Sequence, residues 1–189
     1  MNNKKSITTP LIQNEIDKLN SGDQVLISGI IYTARDAAHK KLTDAISSGE
    51  DLPFEIKDST IYYVGPSPTK PGEIIGSAGP TTSYRMDAYT PTLLDLGLKG
   101  MIGKGSRNNE VQESIKKNKA VYFAAIGGAG ALIANSIISC EVIAYPELGA
   151  EAIHKLKVKD FPAIVVLDSK GNDLYVTEKE KYSEKKSVK

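Results

Sequence analysis

The sequence predicts a single α/β domain built around a mixed β-sheet. Its 189 residues suffice for one domain with a hydrophobic core. Apolar, strand-like segments recur along the chain, and helical patterns lie between several of them. We place the domain at residues 24–177, after an N-terminal segment at residues 1–23 and before a charged, solvated tail at residues 178–189.

Seven segments have the apolar composition of strands. In chain order they are residues 24–33, 60–64, 100–102, 120–126, 140–145, 163–167 and 173–176. Residues 168–172, Asp-Ser-Lys-Gly-Asn, join the last two and predict a hairpin turn. This hairpin would add an antiparallel pair to the sheet.

The first predicted helix follows the strand at residues 24–33. Residues 33–36 have the spacing of a capping box. Arg35 and His39 continue the helical stripe of Leu42 and Ile46, so both would lie on one face near the helix N-terminus, a position that favours anions. Arg35 could equally cap a neighbouring carbonyl, and His39 could pack under a loop. The pattern leaves both interpretations open.

Two further helices are predicted between strands. Residues 90–97 begin with Thr90 and Pro91 and end in glycine, which is typical of a short helix with proline in its first turn. Residues 109–117 are polar except for Val111 and Ile115, one turn apart, and predict a surface helix.

Composition excludes several classes of function. Lys and Arg number 24 against 23 Asp and Glu, and Trp is absent, which disfavours a nucleic-acid binder. A single cysteine, Cys140, excludes an intramolecular disulfide and suggests a buried thiol. The apolar run at residues 122–138 is interrupted by glycine, Asn135 and Ser136, and the N-terminus lacks a secretory signal. We therefore expect a soluble cytoplasmic protein.

The strongest candidate site lies at residues 79–87 together with Lys104. Thr81, Thr82, Arg85 and Lys104 bring two hydroxyls, a guanidinium and an ammonium into glycine-containing loops. An arginine offers a planar fork and a lysine a point charge, so a small dicarboxylate would suit this set.

Each of these residues also has a purely structural interpretation. Thr81 and Thr82 could cap a turn, Arg85 could form a local ion pair with Asp87, and Lys104 could be a solvated loop residue. The argument for function therefore rests on their clustering.

The glycines at residues 127–131 lie between a predicted strand and a helix, as in a dinucleotide-binding loop. Ile133 stands where the third glycine of that fingerprint belongs, which makes a nucleotide binder the weakest hypothesis. Close packing of a strand-to-helix turn explains the glycines, and their amides could still contact a ligand or a partner.

Residues 24–176 resemble the β subunit of class I, iron–sulfur-dependent fumarase and its relative, the tartrate dehydratase β subunit. The strings that carry the resemblance are IYTARDAAH at 31–39, GPTTSYRMD at 79–87, KGMIGKG at 99–105, YFAAIGGAGA at 122–131 and YPELG at 145–149. The resemblance implies a swivelling β/β/α domain and a hydro-lyase that interconverts (S)-malate and fumarate.

The resemblance also implies a partner. A [4Fe–4S] cluster would sit on three cysteines of a separate α subunit, where an open iron polarises the substrate hydroxyl, and this chain would bind no metal itself. Assemblies of αβ units would follow from the usual two-fold symmetry of oligomers.

Transferred residue by residue, the resemblance assigns the site. The substrate-binding residues would be Arg35, Thr81, Arg85 and Lys104. The Thr81 hydroxyl would also transfer the proton at carbon, with Thr82 as an adjacent alternative, and His39 receives no role. Tartrate dehydratase and a non-catalytic carboxylate-binding or interaction module stay open as alternatives.

Overall fold

The computed structural model describes residues 4–125 and 129–182, in which a mixed seven-stranded sheet carries several helices. This confirms the predicted fold class, a single mixed α/β domain. The strands are β1 (Lys5–Thr9), β2 (Gln24–Thr33), β3 (Thr60–Tyr62), β4 (Gly100–Gly103), β5 (Val121–Ala124), β6 (Ile137–Ala144) and β7 (Ile153–Leu167). The α-helices are α1 (Gln13–Ile16), α2 (Asp36–Ser48), α3 (Thr90–Asp95), α4 (Asn109–Lys117), α5 (Gly130–Ala134) and α6 (Leu174–Tyr182). Two 3₁₀ helices span Ser83–Met86 and Pro146–Glu151.

The strand pairings close a ring. Strands β1 to β5 pair in sequence order and in parallel, whereas β7 runs antiparallel to β2, β5 and β6. The circuit β2–β3–β4–β5–β7 therefore returns to β2, and β1 and β6 attach outside it. The length of β7, 15 residues, lets one end pair with β2 and β6 and the other with β5.

Two hydrophobic clusters lie on opposite faces of the central strands. Tyr62, Ile102 and Phe123 belong to the cluster that also contains side chains of β1, α1 and β7. Their chain neighbours Ile61 and Met101 belong to the second cluster, together with side chains of α2, α3 and α4. Successive residues of a strand point to opposite faces of the sheet, so each central strand contributes side chains to both clusters.

The N-terminal segment contributes to the first cluster. Ile7 of β1 and the buried residues Leu11, Ile16 and Leu19 pack there, and β1 pairs with β2 over five residues. Among the described residues, none of the helices is both long and apolar enough to cross a membrane.

Three sequence predictions of secondary structure were wrong. The turn at residues 168–172 forms, with the Asp168 amide donating to the Asn172 carbonyl, but the predicted strand at 173–176 is the start of α6. Asp173 makes one isolated bridge to Leu167, and its carboxylate then accepts from the Tyr175 amide, which turns the chain into the helix. Glu178 to Tyr182, placed in the tail, belong to α6, and residues 183–189 lie outside the described part.

The third error concerns the start of β7. The strand begins at Ile153, ten residues before the predicted start at 163. The prediction missed these residues because charged side chains alternate there with buried Leu156 and Val158. Lysine and aspartate disfavour strands by propensity, but pairing on both sides outweighs that preference.

Candidate active site

The loops that carry the candidate residues follow neighbouring parallel strands. Arg35 follows β2, Tyr63 and Gly65 follow β3, and Lys104 follows β4. Carboxyl ends of parallel strands meet at one edge of a sheet, which is where α/β folds bind ligands. The fold therefore brings these loops to a common edge.

Arg35 occupies the N-cap position of α2, with an extended backbone and no side-chain cap. Its guanidinium extends over Gly65, where a Cβ atom would lie 2.7 Å from Arg35 Nη1, so a larger residue at this position would displace the guanidinium. Its Nη2 atom forms an ion pair with Glu151 Oε1 at 3.3 Å, and the side chain is 22% exposed. The Arg35 guanidinium is thus held in place while part of it faces solvent.

The predicted capping box at residues 33–36 is wrong. The Thr33 hydroxyl donates to the Ala152 carbonyl and accepts from the His154 amide, so it bonds to the beginning of β7 instead of α2. The Ala37 amide at the N-terminus of α2 donates to Glu151 Oε2 at 3.0 Å. A carboxylate from a distant part of the chain therefore takes the place of the local cap.

Asp36 joins Arg35 to Arg85. Asp36 Oδ1 forms an ion pair with Arg85 Nε at 2.8 Å, and Asp36 Oδ2 lies 3.9 Å from Arg35 Nε. The suggested local pair of Arg85 with Asp87 is therefore wrong, and Arg85 reaches the start of α2 instead. The two predicted substrate-binding arginines are brought together by a carboxylate that sequence reasoning did not assign to the site.

Thr81 and Thr82 lie in the segment that leads to the 3₁₀ helix at Ser83–Met86. The Thr81 amide donates to the Tyr63 carbonyl at 2.8 Å. Thr82 forms an isolated parallel bridge with Lys104, and it stands at the N-cap position without a side-chain cap bond. In the described part of the chain, the Thr81 hydroxyl and Lys104 Nζ make no hydrogen bond or ion pair. The part of the chain that the structure describes thus leaves both groups without a polar partner.

Ser83 fixes the lysine loop against the threonine segment. Its amide donates to the Lys104 carbonyl at 2.9 Å, and its hydroxyl accepts from the Lys104 amide at 3.1 Å. The same hydroxyl bonds to the Tyr122 hydroxyl at 2.9 Å, and Tyr122 donates to the Gly105 carbonyl. Burial raises the pKa of Tyr122, so this phenol stays protonated and keeps donating.

A buried ion pair between Arg107 and Asp87 stabilises the same loops. Arg107 Nε donates to Asp87 Oδ1 at 2.6 Å, and its Nη2 donates to Thr90 Oγ1 at 2.7 Å. The guanidinium also lies 5.3 Å from the Tyr63 ring centre and 5.2 Å from that of Tyr122. Sequence reasoning missed Arg107, because an arginine after Gly-Ser resembles a solvated loop residue and no local spacing reveals its partners.

His39 is fully buried beneath this layer. Its Nδ1 lies 2.9 Å from the Arg35 carbonyl, and its ring contacts Tyr63 and Tyr89 edge-on or tilted. Burial lowers its pKa to about 4, so the ring is neutral near neutral pH, with Nδ1 donating to the carbonyl. His39 thus supports the backbone at Arg35 through Nδ1, and its Nε2 atom is buried without a hydrogen-bond partner among the described residues.

The glycine segment packs beside the threonine loop. Residues 126–128 lie outside the described part, but Gly130 begins α5 and its carbonyl accepts from the Ala78 amide. A Cβ atom on Gly130 would lie 2.8 Å from the Gly79 amide nitrogen, so close packing requires glycine there. Cys140 is half-buried on β6, and burial raises the pKa of its thiol.

The charges at the edge of the sheet suit a small anion. The cations are Arg35, Arg85 and Lys104, and the carboxylates that touch the two arginines are Asp36 and Glu151. These five groups sum to one net positive charge, the Lys104 ammonium has no ion-pair partner among the described residues, and both guanidiniums are partly exposed. A compact carboxylate ligand can bind such a set through charge-assisted hydrogen bonds.

Comparison with known proteins identifies the family. The sequence family described as "Fumarase C-terminus" matches residues 2–178. The chain belongs to the Fumarase C-terminus family. Relatives of this family member are named fumarate hydratase class I and tartrate dehydratase subunit beta, and both names denote hydro-lyases.

The relatives differ in length. The Escherichia coli protein named fumarate hydratase class I, aerobic, is 46% identical over 151 residues, which are 79% of this chain and 28% of that protein. The Leishmania major protein named fumarate hydratase 2 is 40% identical over 87% of this chain and 29% of its own length. The Methanocaldococcus jannaschii protein named putative L(+)-tartrate dehydratase subunit beta is 39% identical over 93% of both chains. The matched region of this family member is therefore less than a third of the length of the two fumarate hydratases above.

The donor set of this family member does not fit an iron–sulfur cluster. A cubane cluster takes three or four thiolates, and the sequence contains Cys140 alone. Among residues 4–125 and 129–182, no three His, Cys, Asp or Glu side chains form a group that could hold a metal ion. These residues alone therefore cannot hold a cubane cluster.

Proposed function

We propose that this chain is the β subunit of a two-subunit [4Fe–4S] hydro-lyase that hydrates fumarate reversibly to (S)-malate. The observation that carries the proposal is the cationic site at the edge of the sheet, where Asp36 connects Arg35 with Arg85 and a backbone bridge joins Lys104 to the threonine segment at Thr82. Membership of a family whose relatives include fumarate hydratases supports the choice of reaction.

In this proposal the chain binds the two carboxylates of the substrate. Arg35 grips one carboxylate, and Arg85 and Lys104 bind the remaining negative charge. Removing a carbon-bound proton next to a carboxylate places additional charge on that carboxylate, which the same cations stabilise. The same three side chains thus bind the substrate and stabilise the charge that develops when the proton is removed.

Thr81 is the proposed proton-transfer group. Dehydration of malate removes a hydroxyl from one carbon and a proton from its neighbour, and the deprotonated Thr81 side chain would accept that proton and become a neutral hydroxyl. Threonine is a weak base at its ordinary pKa, so the nearby cations must favour its deprotonated form. The backbone bond from the Thr81 amide to the Tyr63 carbonyl would hold the hydroxyl in place.

The cluster is assigned to a separate α subunit, whose open iron would polarise the substrate hydroxyl. Two facts support a cluster held outside these 189 residues: the sequence contains a single cysteine, and the matched region is less than a third of the fumarate hydratases of Leishmania major and Escherichia coli. We further propose a cytoplasmic complex in which αβ units associate into a larger oligomer.

The β subunit of L(+)-tartrate dehydratase is the second candidate. The match over 93% of both chains with a protein of that name favours it. Tartrate differs from malate by one hydroxyl, which a hydrogen-bonding site can discriminate. A non-catalytic carboxylate-binding module is the third candidate, since it would need the cations but no partner.

An anaerobic hydratase assay separates these candidates. The chain would be tested alone and then with a cluster-loaded α subunit from the same source, with fumarate followed by its ultraviolet absorbance. Activity on malate that appears only in the mixture supports the fumarase proposal, and activity on tartrate alone transfers the assignment to tartrate dehydratase. No turnover of either substrate by a verified complex with an intact cluster would refute both hydro-lyase assignments.

A further inference from the structure

We propose that Asp36 is a positioning residue that aligns Arg35 and Arg85 for the carboxylates of the substrate. The proposal rests on the proposed function and adds a residue to it. Asp36 is the only carboxylate in the described part of the chain that lies within 4.0 Å of a nitrogen atom of both guanidiniums. A single carboxylate thus connects the loop after β2 with the 3₁₀ helix that carries Arg85.

A helix-capping role does not explain this aspartate. An acidic residue in a first helical turn usually stabilises the helix through its free amides and dipole. In α2, however, Glu151 Oε2 accepts from the Ala37 amide, and the Asp36 carboxylate makes no cap bond. The Asp36 side chain instead turns towards the two arginines.

The contact with Arg85 leaves its binding edge free. Asp36 Oδ1 approaches Arg85 at Nε, 2.8 Å away, and no described residue forms an ion pair or hydrogen bond with the Nη atoms of Arg85. A guanidinium held at Nε still presents two parallel N–H groups, which is the geometry for a bidentate carboxylate. Asp36 therefore orients Arg85 without competing for its fork.

The second oxygen of Asp36 is unsatisfied. Asp36 Oδ2 and Arg35 Nε are both buried and both lack a hydrogen-bond partner, although they lie 3.9 Å apart. Unpaired buried polar groups are costly, and an approach of about 1 Å would bring this pair to hydrogen-bond distance. We infer that a ligand carboxylate on Arg35 brings about this approach, so that Asp36 couples the two arginines when the site is filled.

The test is a double-mutant cycle in the assembled enzyme with its cluster-bearing partner. Asp36→Ala should raise the KM for the dicarboxylate about 10- to 100-fold, the factor expected for a charge-assisted hydrogen bond. In an Arg85→Lys background the same substitution should raise KM by a smaller factor, because only the alignment of Arg35 remains to be lost. A purely structural role would instead give the same factor in both backgrounds.

Two further variants serve as controls. Asp36→Asn preserves the side-chain volume, so a loss of affinity there cannot come from a cavity. Asp44→Ala removes an exposed acid of the same helix, which pairs with Lys40 at 2.6 Å, and it should leave KM unchanged. Urea unfolding of each variant checks that the domain remains folded.

Binding measurements separate failure of this inference from failure of the proposed function. Isothermal titration calorimetry with fumarate and with succinate on the same complexes should show the same loss of affinity as KM. Suppose that the wild-type complex binds or converts dicarboxylates. The positioning role is then refuted if Asp36→Ala leaves KM and affinity unchanged, or if it raises KM by the same factor with and without Arg85→Lys. The proposed function stands in either case. If the wild-type complex neither binds nor converts a dicarboxylate, both proposals are refuted.

Discussion

Removal of the buried charge of Arg107 should be among the most damaging single changes to this domain. The Arg107 side chain is fully buried, and Asp87, which accepts its Nε–H at 2.6 Å, is 5% exposed. Arg107→Met would leave the Asp87 carboxylate with the Asn108 amide, which donates to Oδ2 at 2.8 Å. An uncompensated charge then remains in the interior.

The expected magnitude follows from this burial. Breaking a buried ion pair by removing one partner costs about 3–5 kcal/mol of the free energy of unfolding. The total free energy of unfolding of a domain is about 5–15 kcal/mol, so this loss is a large fraction of it. Asp87→Asn should cost a similar amount. The double variant should lose much less than the sum of the two, because no lone charge remains buried.

Urea denaturation followed by circular dichroism measures these free energies by linear extrapolation. The exposed pair of Lys117 with Asp95, at 2.9 Å, provides the matched control. Lys117→Met and Asp95→Asn should each change the free energy of unfolding by less than about 1 kcal/mol. Losses below about 1 kcal/mol for the Arg107 and Asp87 variants, or full additivity in the double variant, would refute the reasoning.

Three other predictions concern protonation, packing and chemistry. Since burial lowers the pKa of His39 to about 4, its contribution to the free energy of unfolding is complete above pH 6.5. About 3 kcal/mol is lost as the pH falls from 6.5 to about 4, so His39→Gln should flatten this part of the pH profile, leaving the slope that His154 contributes. Gly103→Ala would place a methyl group in the space of the buried Ser83 hydroxyl and should lower the free energy of unfolding by about 1–3 kcal/mol. Urea titration measures this loss, and an unchanged unfolding midpoint would contradict the packing. Thr81→Val should preserve complex formation and cluster content but reduce turnover by about 100-fold or more, as for other proton-transfer groups. If Thr81→Val is active and Thr82→Val is inactive, the proton-transfer role belongs to Thr82.

Local patterns predicted much of the secondary structure. The strand at residues 24–33 and the helix at 109–117 have the predicted bounds, because hydrophobic alternation and helical spacing are readable within one segment. The ring of strands was not predictable in this way, since the pairing of β7 with both β2 and β5 depends on contacts across the chain.

The same distinction applies to the site. Arg35, Arg85 and Lys104 stand in recognisable strings, so they could be proposed from the sequence. Asp36 and Arg107 could not, because the partners that define them lie 49 and 20 residues away along the chain. A carboxylate next to an arginine suggests a local cap or a local pair, and only the tertiary structure reveals which distant group it contacts.

The closure of the ring by β7 has a consequence for biosynthesis. The nascent polypeptide emerges from the ribosome with β1 to β5 before Ile153–Leu167, so β2 and β5 have unpaired edges until the last strand arrives. Exposed edges of this kind recruit strands from other chains. The loops that hold the arginines and the lysine would then exist before the strand that locks them together. The interval before β7 emerges is therefore the period in which these two edges are most open to pairing with other chains.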